Sequence, residues 1–316
     1  MIRIFLFLLI AVFGKQEPID RKALVTRNNP KISEVDTLAS LSVGNGSFAM
    51  TVDVTGLQTF HNEYGKGMPL GTQSDWGWHS FPNVNNYKFE ETLKDFDFGR
   101  GRLEPYAVQS NDFTERQKDA VDYFRSNPNR LHLGIIGLEL DEKIQLYDIQ
   151  YINQDLDMWN GEIRSNFSVG YKTVSVQTLC HPEKDMISAK ISAEFNPAIK
   201  FRFAYPTGEW GDYASDWTKN HLHSTTVVAQ TTQSAVLKRE INDIVYYVNI
   251  EWTGEANDRY ILKGLIPAQE TLKPEVTFNS PYELAYWHCA MKRLEADSVT
   301  EQRNLFILSF WAKSVF

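Results

Sequence analysis

The most chemically loaded run in the chain is Asp75-Trp76-Gly77-Trp78-His79-Ser80, which ends a longer stretch beginning at Leu41. It sets a carboxylate, two indoles and an imidazole side by side. An indole can stack on the C–H face of a sugar ring, and Asp and His supply the acceptors and donors that hydroxyls need. From His61 onward the run has few aliphatics and several glycines, too long and too polar for a hairpin turn. Long loops of this kind are functional or disordered, and two tryptophans argue against disorder. The plainer alternative is that both tryptophans only pin the loop to the domain. Tyr205 to His223 repeats this character, with Trp210, Asp212, Asp216, Trp217, His221 and His223 around two glycines. The candidate sugar-contacting residues are therefore Trp76, Trp78, His79, Trp210, Asp212, Asp216, Trp217 and His223.

Other chemistries find little support. His221 and His223 stand at i, i+2, which in a strand puts both on one face. No third ligand accompanies them, so no metal is expected. Asp95 and Asp97 resemble half a calcium loop but lack its glycine and closing glutamate. Gly99-Arg100-Gly101-Arg102 reads as a turn, because a phosphate loop needs a lysine and a strand–helix setting. There is no G-x-S-x-G elbow and no G-x-G-x-x-G between a strand and a helix, so no cofactor is expected. Cys180 and Cys289 are too few for a disulfide framework. Asp75, Asp95, Asp97, Glu209, Asp212 and Asp216 read first as exposed loop acids.

The elements that must hold these loops are mostly strands. Phe48, Met50 and Val52 alternate with small or polar partners, and Leu41 to Phe60 is expected to form the first strands. Thr114 to Arg125 predicts a short helix stopped by Asn127-Pro128-Asn129. Leu131 to Leu140 and Lys143 to Ile152, separated by Asp141-Glu142, predict a tight hairpin. Further strands are expected at Gly161 to Val169, Tyr171 to Leu179, Met186 to Phe195, Ile199 to Ala204, Leu222 to Ala229, Ser234 to Glu240, Ile244 to Trp252 and Arg259 to Ile266. So many short strands in one run imply an all-β fold, a large two-sheet antiparallel β-sandwich. From Pro281 the pattern turns helical, with Ser280 as N-cap, Glu283 as capping-box partner, and Tyr286, Ala290 and Leu294 at i, i+4 spacing.

The 316 residues, 42% hydrophobic and 13% aromatic, are ample for a large core. A net charge of -8 without basic clusters makes nucleic acid and anionic membranes poor partners. Met1 to Gly14 reads as a secretory signal: Arg3 gives a positive start, and Ile4 to Phe13 is an apolar run too short to span a bilayer. The mature protein is then expected in a periplasmic or extracellular setting, with no membrane association once the signal is removed.

Several stretches together resemble the opening domain of secreted bacterial six-hairpin glycosidases related to glycoside hydrolase family 65. They are Arg27-Asn28-Asn29-Pro30, Leu41 to Ala49, Val54 to Phe60, Pro69-Leu70-Gly71-Thr72 with Asp75 to His79, and Asn127 to Gly134. In such proteins a large β-sandwich, or super-sandwich, precedes an (α/α)6 barrel that holds the catalytic acid. The resemblance implies a signal at 1–14, a sandwich over 15–279, and a helical linker or truncated start of the barrel over 280–316. It also implies that no residue here is catalytic. The expected role is a non-catalytic sandwich whose aromatic loops help shape the sugar site of a barrel elsewhere. Carbohydrate and that barrel are the expected partners. A free-standing carbohydrate-binding module, or a purely structural sandwich, is the alternative.

Overall fold

A computed structural model describes residues 19–195, 198–208, 215–231 and 234–251, together with the backbone of 252, 256–258, 260–262, 276–278 and 306–311. The expected signal at 1–14 and the helical start near Pro281 lie outside the described residues.

The fold is all-β and dominated by antiparallel pairing. Its largest sheet has nine strands, in the spatial order Lys31–Ile32, Ile149–Asp157, Glu162–Val169, Lys172–Cys180, Met186–Ala193, Phe306–Trp311, Ile244–Trp252, Ser234–Ile241 and His223–Gln230. Alternation decides which face each strand buries. Along Ser234–Ile241 every second residue is buried, and Lys172–Cys180 buries Val174, Val176 and Thr178. Phe306–Trp311 lies within the segment expected to be helical, yet it is extended and pairs with Met186–Ala193 on one side and Ile244–Trp252 on the other.

Smaller sheets supply the second layer. Leu41–Gly44, Phe48–Val52 and Thr72–Ser74 form one, and Leu41–Gly44 packs on Glu162–Val169 and Lys172–Cys180. Ile135–Glu139 pairs antiparallel with Ala198–Arg202, which runs parallel to Tyr260–Leu262. The hairpin expected across Asp141-Glu142 is therefore not formed. Ile135–Glu139 sits in the second layer, whereas Ile149–Asp157 belongs to the large sheet. The apolar run Leu131 to Leu138 is buried almost throughout, so it prefers a position enclosed on both sides to an outer hairpin arm. One apolar cluster joins the layers, from Phe48, Met50 and Val52 through Leu133 and Leu138 to Val176, Leu237 and Val248.

The helix over Glu115–Ser126 matches expectation to within a residue. Thr114 caps it, accepting from Gln117 N, and the Gln117 side chain answers back as in a capping box.

The turn Asp53 to Phe60 locks the layers together. Gln154 Nε2 donates to Asp53 O at 2.8 Å, and Thr178 Oγ1 donates to Gly56 O at 2.6 Å, both from the large sheet. On the other side Gln58 N donates to Ile136 O at 2.7 Å, and Leu138 N donates to Thr59 Oγ1 at 3.1 Å. Gly137 lies so close that a Cβ there would come 2.9 Å from both Gln58 O and Thr59 Cα. These are backbone atoms that cannot step aside, so Gly137→Ala is expected to destabilise the fold by about 2–3 kcal/mol. Urea denaturation checks this, and an unchanged midpoint would mean that the turn is not seated against Gly137.

Candidate functional site

The first loop leaves the locked turn directly. His61–Tyr64 is one helical turn, Thr72–Ser74 joins the Phe48–Val52 sheet, and Trp78–His79 pairs with Asn129–Arg130. Its backbone is fastened by Asp75 N to Ser47 O and by Leu131 N to Gly77 O, both at 2.8 Å. The Trp76 indole is half-buried: its Nε1 donates to Asp185 Oδ2 at 2.6 Å, and its ring lies 5.9 Å from Tyr246. Ser74 Oγ donates to the same carboxylate oxygen, also at 2.6 Å. Trp78 is the exposed one at 44%, with the Arg130 guanidinium 4.0 Å from its ring centroid. His79 is enclosed. Asn242 Nδ2 lies 2.9 Å from its Nε2, and its ring meets Phe81 and Tyr205 edge-on at 4.6 and 6.2 Å.

The second run closes against the first. Ser215–Asp216 pairs with Tyr205–Pro206. Trp217 is half-buried, with its indole edge-on to His61 at 4.9 Å and to His132 at 5.1 Å. Arg202 lies 5.3 Å from the indole centroid, donates to Trp217 O at 2.8 Å, and contacts His61 Nε2 at 3.1 Å. Asp216 faces its own turn: Oδ1 accepts from Thr218 N and Oγ1, and Lys219 Nζ stands 3.4 Å from Oδ2. The Thr218 hydroxyl, foremost, holds the Asp216 carboxyl below the usual carboxylate range. His223 stacks on Tyr205 at 6.3 Å, and its Nδ1 lies 3.0 Å from Arg239 Nη2. His221 and His223 do not share a face. His221 sits exposed in the 3-10 turn Asn220–Leu222, while His223 opens a strand and is buried. Trp210 and Asp212 lie outside the described residues.

Trp76, His79, Trp217 and His223 thus join a band of imidazole, guanidinium and aromatic rings that runs between the layers. Its other members were not singled out from sequence: His61, His132, Arg202, Tyr205, Arg239, Asn242 and Tyr246. Arg239 is wholly buried, its guanidinium 4.5 Å from the Phe203 centroid, and Tyr246 Oη donates to Leu133 O at 3.1 Å. Parity was the signal for Arg239, since it shares the buried face of its strand with Ala235, Leu237 and Ile241.

Burial sets the electrostatics of the band. A charged imidazole is penalised in a dry interior, so His132 and His223 are each lowered to about 4 and His61 to about 3. Arg202 lowers His61 further, and Arg239 does the same for His223. His132 is held as a neutral ring, with Nε2 donating to Leu70 O at 3.0 Å and Nδ1 accepting from Gly134 N at 3.1 Å. Burial thus favours neutral imidazoles in the band, with two guanidiniums laid on aromatic faces. Among the described residues no three His, Cys, Asp or Glu side chains gather as metal ligands.

No family model matches the chain, and no curated protein matches it. Among solved structures, a putative kojibiose phosphorylase from the human microbiome is similar over 89% of this chain, at 10% identity and a TM-score of 0.41. The chain spans 31% of that protein's length.

The histidines make the fold acid-sensitive. Their folded pKa values are depressed, so the unfolded chain takes up protons first as pH falls below about 6.5 and stability is lost from there toward pH 4. Asp53 works the other way. Burial raises its carboxyl to about 6, so it gains protons in the fold before the unfolded chain does. At pH 5, His132 alone removes about 2 kcal/mol while Asp53 returns about 1 kcal/mol, and His61 and His223 add to the loss. The urea midpoint is expected to fall between pH 7.5 and pH 5. A midpoint that stays level or rises would contradict the buried neutral imidazoles.

Proposed function

We propose that this chain is a non-catalytic β-sandwich belonging to an exported carbohydrate-active enzyme of the family 65-related kind, with the bond-breaking acid carried by a helical barrel outside it. The carrying observation is the way the two loops are used. His61, His79 and His223 are enclosed and burial disfavours their charged form, while Asp185 is held by Trp76 and Ser74, and Asp216 by Thr218 and Lys219. Glycoside cleavage needs a carboxylic acid on one side of the bond and a base, nucleophile or phosphate on the other. The band instead supplies rigidity, which suits a wall beside a site. The sequence resemblance supplies the class.

Within this reading the sugar-facing role falls to Trp78, because it keeps a large part of its indole exposed while Arg130 fixes the ring. Trp76 and Trp217 serve as packing and hydrogen-bonding supports for the loops. A free-standing carbohydrate-binding module draws on the same exposed indole.

The purified chain, incubated with kojibiose, maltose or trehalose with and without inorganic phosphate, is expected to release neither glucose nor glucose 1-phosphate above the uncatalysed rate. Robust turnover by the chain alone would overturn the non-catalytic assignment.

A further inference from the structure

A cleft of about 600 Å³, lined by no residue of either aromatic loop, lies where the segment following Ile135–Glu139 meets the turn between Glu162–Val169 and Lys172–Cys180. Leu140, Ile144, Val169 and Phe195 give it apolar lining. Its size falls in the range of small-molecule sites, about 300–1,000 Å³. None of the eight sequence candidates lines it.

Three exposed tyrosines flank lining residues in sequence without themselves lining the cleft. Tyr147 precedes Asp148, Tyr151 follows Gln150, and Tyr171 lies between Gly170 and Lys172. They are 76%, 82% and 103% exposed, far more than aromatic rings that serve packing. Tyr151 is the most telling. It sits where pairing between Ile149–Asp157 and Glu162–Val169 slips, and its φ is +53°. Glycine fits a left-handed bulge position without strain, and a tyrosine does not. Packing does not offset that strain, because the ring is mostly in solvent. Strained residues without a structural return gather at functional sites.

The polar groups indicate what the cleft would take. Asp141 Oδ1 accepts from Lys143 N and Asp148 Oδ2 from Gln145 N, and each carboxylate keeps its second oxygen unused by the described residues. Gln150 offers an amide, and Lys172 an ammonium 5.6 Å from the Phe195 ring centroid. Acceptors and donors therefore alternate around apolar and aromatic surface. Glu139 also lines the cleft, with Lys200 Nζ 3.9 Å from its carboxylate; a cation would meet Lys172, and an anion would meet Asp141, Asp148 and Glu139. Hydroxyl groups use both kinds of partner, and the C–H faces of a sugar ring use the tyrosines.

We infer that this cleft is a binding site for a neutral oligosaccharide, separate from the Trp78 loop, with Tyr151 and Tyr171 as stacking residues and Asp141, Asp148, Gln150 and Lys172 as hydroxyl partners. The inference goes beyond the accessory role and does not depend on it, since it concerns binding and not turnover.

Titration calorimetry of the full chain with maltotetraose and cellotetraose tests it, with spermidine as a cationic comparison. Saturable binding of at least one tetrasaccharide is expected, weakened about tenfold by Tyr171→Ala and by Tyr151→Gly and unchanged in Tyr106→Ala. Tyr151→Gly keeps the positive φ without strain, so its melting temperature should hold or rise, which separates lost binding from lost folding. Absence of saturable binding for both sugars would overturn the site. So would tighter binding of spermidine, or sugar binding that responds to Trp78→Ala and not to the tyrosine changes.

Discussion

The structure depends on a polar turn buried between two layers of strands. Asp53 to Phe60 crosses the interior, where every backbone N–H and C=O left without a partner costs about 1–3 kcal/mol. The turn meets this demand from within and from both neighbours. Asp53 accepts from Thr55 N, Thr55 Oγ1 and Phe60 N, which fixes its own curve. Gln154 binds Asp53 O and Ser165 Oγ, while Gln58 Oε1 accepts from Ile136 N and Thr72 Oγ1. Gly56, at φ +77°, brings the turn so near the large sheet that a Cβ would fall 2.7 Å from Ser165 Oγ. A network bonded to both layers leaves them little freedom to slide, because any shift breaks bonds on both sides at once.

The candidate loops hang from that lock. His61 follows the turn immediately, and its contact with Arg202 ties the start of the first loop to the strand that leads into the second. Trp217 then fills the space between His61 and His132, while His79, Tyr205 and His223 continue the band toward Arg239. The band keeps two guanidiniums on aromatic faces, and Asp185 meets it at the Trp76 indole. Among the described residues, His61 Nδ1, His223 Nε2 and Arg239 Nε have no hydrogen-bond partner. His61 and His223 are held by ring packing and one guanidinium contact each, and Arg239 also donates to Ser224 O and Thr225 Oγ1.

Much of this was legible in the chain. Strand faces followed from alternation: Phe48, Met50 and Val52 are buried as their spacing predicted, and Thr114 caps the helix at the expected place. Where they are described, the two irregular runs hold only two- and three-residue strands. Pairing was less legible. Ile135–Glu139 carries the pattern of a hairpin arm, yet it lies beside Ala198–Arg202. A strand's own residues set which face is apolar but not which edge it meets, since that choice is made by contacts far along the chain. The histidines show the same limit: His221 and His223 are neighbours in sequence, and one is exposed while the other is enclosed.

By itself, the sequence determined the all-β class, the places where regular pairing breaks, and the kinds of side chain those breaks contain. The tertiary structure alone decided that most of the described aromatic and imidazole groups face one another and that Trp78 stays exposed. The reason is that an indole, an imidazole or a guanidinium suits a sugar or a neighbouring ring equally well. Only the distance to the next layer chooses between them.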